Sequence, residues 1–84
     1  MLYKKFKYIT VNKFPPAKGK KTCTCSIDAN SSGCPLGEIR WFGRWRQYCF
    51  FPEQDTVWNK GCLQDVIEAL DSLNREHREG KSND

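Results

Sequence analysis

Ile39-Arg40-Trp41-Phe42-Gly43-Arg44-Trp45-Arg46-Gln47-Tyr48-Cys49-Phe50-Phe51-Pro52 holds six of the chain's eleven aromatic residues and three of its arginines within fourteen positions. Aromatic residues favour a pleated, half-buried surface, and Gly43 behind Phe42 offers a turn, so the stretch predicts a hairpin or a kinked strand. Counting by twos from Trp45 sets Trp45, Gln47, Cys49 and Phe51 on one face and Arg44, Arg46, Tyr48 and Phe50 on the other. The second face, with arginines and aromatics side by side, is the candidate binding surface.

Outward from this stretch, β-favouring residues alternate over Tyr3–Val11 and Lys21–Ile27, which predicts two further strands; Cys23, Cys25 and Ile27 form the apolar side of the latter. Between them, Phe14-Pro15-Pro16-Ala17-Lys18-Gly19-Lys20 lacks the donors for a ladder and reads as a loop. Asp28 to Gly33 is a turn cluster, and Glu38–Phe42 and Arg44–Phe51 supply a third and a fourth strand. Pro52 to Thr56 ends the sheet. Asn59 is then a helix cap, and Leu63, Val66, Ile67, Leu70 and Leu73 form an apolar face opposite Gln64, Asp65, Glu68, Asp71 and Arg75. Gly80 marks a stop. The expected fold is α+β: a three- or four-stranded antiparallel sheet packed by one C-terminal amphipathic helix, with a single domain over 1–80 and a frayed tail over 81–84. One sheet face is covered by the helix and the other is left at least partly open.

A chain of 84 residues makes one domain and buries only somewhat more than about 60% of the surface its unfolded form exposes. Eleven aromatics offset that shortage, and a large active-site cavity is not expected. Charge is unevenly distributed. Residues 1–46 carry ten Lys or Arg against Asp28 and Glu38, whereas residues 47–84 carry four against eight carboxylates. A polyanion or an acidic protein surface is attracted to the first half, although a solvated basic face that confers solubility has the same composition. Met1 leads directly into Lys4-Lys5-Phe6-Lys7 with no apolar run long enough for a signal peptide or a membrane span, so no membrane partner and a cytoplasmic setting are expected. Five cysteines there are expected to be thiols or metal ligands, and their odd number argues against a closed disulfide framework.

Cys23-Thr24-Cys25 and Cys34, with Cys49, Cys62 or His77, have the right donor types for zinc, but one residue between two thiols on an alternating strand is poor ligand spacing. Neither metal nor cofactor is expected, and a zinc-stabilised interaction module stands as the remote alternative. His77 is the only histidine and falls near a helix C-terminus, where its charge is favoured without a catalytic role. The helix carboxylates follow a solvated face, and Gly33 and Gly37 merely bracket Cys34-Pro35-Leu36. No enzymatic activity is expected. Arg40, Phe42, Arg44, Arg46 and Tyr48, extended by Lys18, Lys20 and Lys21, are the candidate binding residues, because arginines interleaved with aromatics hold phosphates and stack bases. Neither the ribonucleoprotein consensus nor a GXXG loop is present. Arginine stems packed over rings as structural cation–π pairs is the competing reading.

Leu36 to Pro52, followed by Thr56-Val57-Trp58-Asn59 and Cys62-Leu63-Gln64-Asp65-Val66, resembles small uncharacterised proteins of bacteriophages and prophages, marked by a Trp-Arg-Gln-Tyr aromatic strand. The likeness covers about residues 21–73. It implies a non-catalytic phage accessory protein that binds a host protein or nucleoprotein in the host cytoplasm, such as an inhibitor of a host defence nuclease, CRISPR effectors included. A single-stranded nucleic-acid-binding protein using the same basic aromatic face is the alternative.

Overall fold

The computed structural model describes residues 1–79, in which five strands precede one helix: β1 (Leu2–Lys5), β2 (Ile9–Phe14), β3 (Thr24–Ala29), β4 (Pro35–Phe42), β5 (Gln47–Pro52) and α1 (Lys60–Arg78). The strands form one antiparallel sheet in chain order, β1-β2-β3-β4-β5. Over the described residues the protein is thus α+β with five strands, where three or four were expected. The helix stop at Gly80 and the tail at 81–84 lie outside the described residues.

The fifth strand arises because the run Tyr3–Val11 folds back on itself. Phe6 N–H donates to Ile9 C=O at 2.8 Å, closing a tight turn at Phe6-Lys7-Tyr8. Asn30, far along the chain in the β3–β4 turn, clasps this turn: its side-chain amide donates to the carbonyls of Phe6 and Lys7, and its backbone N–H donates to that of Tyr8. The β1–β2 hairpin is therefore fixed by a tertiary contact that local alternation does not encode. Elsewhere the strand ends shift by a few residues. Lys21 to Cys23 belong to the β2–β3 connection, β4 begins at Pro35, and Gly43 to Arg46 form the β4–β5 turn.

On one sheet face Ile9, Val11, Cys25, Ile27, Ile39 and Tyr48 are buried, joined by Cys23 just ahead of β3. Burying each branched aliphatic contributes about 1.5–3 kcal/mol. Across this face lies α1, capped by Asn59, whose Oδ1 accepts the Cys62 N–H at 2.8 Å from an extended backbone. The inward stripe of α1 is Val66, Ala69 and Leu73 with Asp65 and Ser72. It is turned away from the face expected, since Leu63 is 46% and Ile67 50% exposed, whereas Asp65 is only 8% exposed. Small residues decide the rotation. Ala69 and Ser72 let the helix approach the sheet, and Gly61 lies flat against the Tyr8 ring, where an added Cβ would come within 2.3 Å of a ring carbon. Asp65 then accepts the Tyr8 N–H at 3.2 Å, a partner the bulkier stripe could not supply.

Both sheet edges are protected from further pairing. β1 is short, carries Lys4 and Lys5, and has a register shift between Leu2 and Lys4. Because the Tyr48 N–H bonds Asn74 and the Glu53 N–H bonds Leu36 C=O, alternation along β5 gives the ladder to Gln47, Cys49 and Phe51 and points the backbone groups of Tyr48, Phe50 and Pro52 outward. Asn74 of α1 caps Tyr48 on that edge, accepting its N–H at 2.7 Å and donating to its C=O at 3.5 Å, and Pro52 has no N–H to offer.

Candidate functional site

The β4–β5 hairpin brings the aromatic stretch together in two layers. Side chains of Arg40, Phe42, Cys49 and Phe51 stand on the sheet face that α1 does not cover, and those of Trp41, Tyr48 and Phe50 stand under α1. In the turn, Trp45 N–H donates to Phe42 C=O at 3.1 Å, and Arg46 takes a left-handed backbone (φ 54°) that turns the chain into β5. Trp45 folds over Phe42 edge to face with ring centroids 5.0 Å apart, yet remains 63% exposed.

Each expected binding residue can now be located. Arg40 and Phe42 share the open sheet face, but Arg40 is committed: its guanidinium lies 3.8 Å from the Phe51 ring centroid and forms an ion pair with Glu38. That is the structural cation–π arrangement, realised at one of the three arginines. Arg44 and Arg46 are exposed in the turn rather than aligned on a strand face. Tyr48 is a correction. It is 2% exposed, and its hydroxyl accepts the backbone N–H of Cys23 at 3.2 Å in the core. Strand parity separates Tyr48 from Cys49 and Phe51 as expected, but the helix covers the Tyr48 side. Burial and the Cys23 contact push its phenol pKa well above the usual range.

Lys18, Lys20 and Lys21 are exposed in the β2–β3 connection. Phe14 pairs with Thr24 and Phe42 with Gln47, so this connection and the β4–β5 turn leave the sheet at the same end. The helix returns there too. Asn74 is bonded to Tyr48 at the start of β5, while Glu76 accepts from the Tyr3 hydroxyl at 2.8 Å and lies 3.8 Å from Lys13 Nζ. The last turn of α1, with Arg75, His77 and Arg78, therefore faces the β4–β5 turn. Between them opens a cleft of about 520 Å³, with Trp41 and His77 in its wall and Trp45, Arg46, Arg75 and Arg78 around it. The imidazole packs on the Trp41 indole, ring centroids 4.4 Å apart, and is half-buried rather than solvent-exposed. Its Nδ1 is shielded from solvent and has no hydrogen-bond partner. Among the described residues, Arg44, Arg46, Arg75 and Arg78 form no ion pair.

Sequence reasoning missed Trp41, Trp45, Arg75, His77 and Arg78 as site residues. A signal existed for two of them, because Arg75 and Arg78 are spaced i, i+3 and share a helix face. The remaining thiols do not converge. Cys23 and Cys25 lie side by side in the core, where the Cys23 thiol and burial push Cys25 well above the usual thiol range. Cys34 is exposed in the β3–β4 turn at the opposite end of the sheet. Among the described residues no group of three or more His, Cys, Asp or Glu could hold a metal ion, and no helix is long and apolar enough to cross a membrane. Comparison with protein-family models, curated proteins and solved structures finds no match to this chain.

Proposed function

We propose that this is a non-catalytic binding protein that engages single-stranded nucleic acid, carried by a host nucleoprotein, through the basic aromatic end of the domain. The observation that supports this reading is that Arg46, Arg75 and Arg78 line one cleft with an exposed Trp45, while Arg44 lies in the same turn and Lys18, Lys20 and Lys21 are exposed in the connection that leaves the same end of the sheet. Cations so grouped neutralise successive phosphates, and an exposed indole stacks on any base without regard to sequence. Phe42 backs the Trp45 ring from the adjoining sheet face, whereas Arg40 is held there by Glu38 and Phe51. The resemblance to phage proteins makes the target a host nucleoprotein, a defence nuclease such as a CRISPR effector among them, inhibited when the strand it must pair or cut is covered.

The test is fluorescence anisotropy of a labelled single strand titrated with the protein across a salt series. Affinity falls steeply with salt, and Arg44→Ala/Arg46→Ala reduces the log–log slope by about 1.4, roughly 0.7 for each phosphate of the single strand no longer neutralised. Salt-insensitive binding, or an unchanged slope in the folded double variant, refutes the assignment.

A protein partner is the second reading, favoured by the apolar residues that α1 leaves outward, Leu63 and Ile67 with half-buried Leu70 beside them. It requires a defined host protein to stay bound after nuclease treatment and to be released by Ile67→Lys.

A further inference from the structure

We infer that the cleft between the β4–β5 turn and the last turns of α1 holds one nucleotide bearing a phosphate monoester, either the phosphorylated end of a strand or a free mononucleotide. This rests on the nucleic-acid reading above and names what its cleft selects. Size is the first argument: about 520 Å³ falls within the roughly 300–1,000 Å³ of small-molecule sites and suits one nucleotide rather than a run of bases.

Charge is the second argument. Arg46, Arg75 and Arg78 line the cleft without an ion pair among the described residues, and Asp71 is the only carboxylate among its lining residues. A diester linkage brings a single negative charge, whereas a monoester carries a charge approaching two and three terminal oxygens near neutral pH. Three guanidinium forks around one cavity match the second better, because each fork can engage two oxygens.

Positioning is the third argument. Arg46 is held by a left-handed backbone, a conformation rare outside glycine that aims a turn residue in a fixed direction. Arg75 and Arg78 project from a helix pinned to β5 by Asn74 and to β1 by Glu76. Trp41 is occupied by His77, so Trp45 is the ring free to stack on the base. The phosphate is thus held between Arg46 of the turn and Arg75 and Arg78 of the helix, and the base lies toward Trp45 beside Arg46.

The experiment compares the full chain's affinity for one single-stranded oligonucleotide with a 5′-hydroxyl, a 5′-phosphate or a 3′-phosphate, with adenosine monophosphate and adenosine as competitors. At least one phosphorylated end binds about tenfold more tightly than the hydroxyl form, and adenosine monophosphate removes that advantage while adenosine does not. In Arg75→Ala/Arg78→Ala, circular dichroism is unchanged, every strand binds more weakly for want of two cations, and the ratio of affinities between phosphorylated and hydroxyl ends falls to about one, so the advantage disappears. Arg75→Lys/Arg78→Lys restores only part of it, because lysine keeps the charge without the fork.

Equal affinity for all three ends overturns the cleft assignment and leaves the strand-binding reading standing. If no oligonucleotide binds but adenosine monophosphate still quenches Trp45 fluorescence, the cleft is a free-nucleotide site and the strand reading falls. Absence of both signals refutes both.

Discussion

Replacing Tyr48 by Phe removes one oxygen and separates a core residue from a contact residue. In the folded protein that oxygen accepts the Cys23 N–H, and neither residue is reachable by water at the bond. Phenylalanine fills nearly the same volume, so the loss is almost wholly that of a buried donor left unsatisfied, about 1–3 kcal/mol. For a domain this small each kcal/mol moves Tm by about 4–8 °C, which places the fall between roughly 4 and 24 °C. Urea denaturation followed by tryptophan fluorescence measures it as a lower midpoint with an unchanged slope, the signature of altered stability without altered unfolded-state exposure. Below the transition, the variant binds its ligand as the wild type does. A stability change under about 0.5 kcal/mol would mean that the Cys23 amide finds another partner and the burial argument fails. Full stability with lost binding would return Tyr48 to the contact surface.

Other perturbations test the remaining elements. Leu73→Ala costs about 2–5 kcal/mol while Ile67→Ala costs well under 1, measured by the same denaturation; the reverse order would turn α1 back to the stripe expected from its larger apolar residues. Asn59→Ala removes the acceptor for the Cys62 N–H and lowers stability by about 1 kcal/mol, visible as earlier loss of helical circular dichroism. Gly37→Ala sets a Cβ 2.7 Å from both the Phe50 ring and the Phe51 carbonyl oxygen, so this overpacking costs about 1–3 kcal/mol; a neutral result would show that β4 and β5 can separate there. Tyr3 and Tyr48 both have raised phenol pKa values, chiefly from burial, so the folded state favours the protonated phenols. Their contribution is fully present below the ordinary value of 10.0 and is lost as pH rises above it. A stability profile from pH 7 to 12 therefore drops on its alkaline side, and Tyr3→Phe makes the drop shallower; an unchanged profile in that variant contradicts it.

The parts of this fold legible in the sequence are those determined by neighbours along the chain. Two-residue alternation marks Cys23, Cys25 and Ile27 as one buried row, and Asn59 ahead of an amphipathic run marks the helix start. What was not legible depends on residues distant in sequence. The β1–β2 turn is held by Asn30, so Tyr3 to Val11 reads as one strand until that clasp is known. Hydrophobicity ranks Leu63 and Ile67 above Ala69 and Ser72, but close packing prefers the small pair because they admit the helix to the sheet. Tyr48 shows the same limit from the other side. Parity sorts it from Cys49 correctly, yet only the position of α1 decides which of the two faces is interior.

The candidate site shows most clearly why a linear reading stops short. Along the chain, positive charge is concentrated before residue 47 and negative charge after it, which points to the first half as the binding surface. Folding redistributes this. Because α1 runs from the β1–β2 turn toward the start of β5, Arg75 and Arg78 from the acidic half come to face Arg46 from the basic half across one cleft. Arg40, the arginine at the centre of the aromatic strand, is meanwhile paired to Glu38 and laid over Phe51. Free cationic charge thus leaves the middle of the sheet and gathers at its end. There an exposed indole stands beside it, and the carboxylate of Glu76 is already engaged by Tyr3 and Lys13. Surface that the fold uses for its own cohesion is not free to bind a ligand, and by that criterion the end of the domain, rather than its open face, is where binding energy remains to be gained.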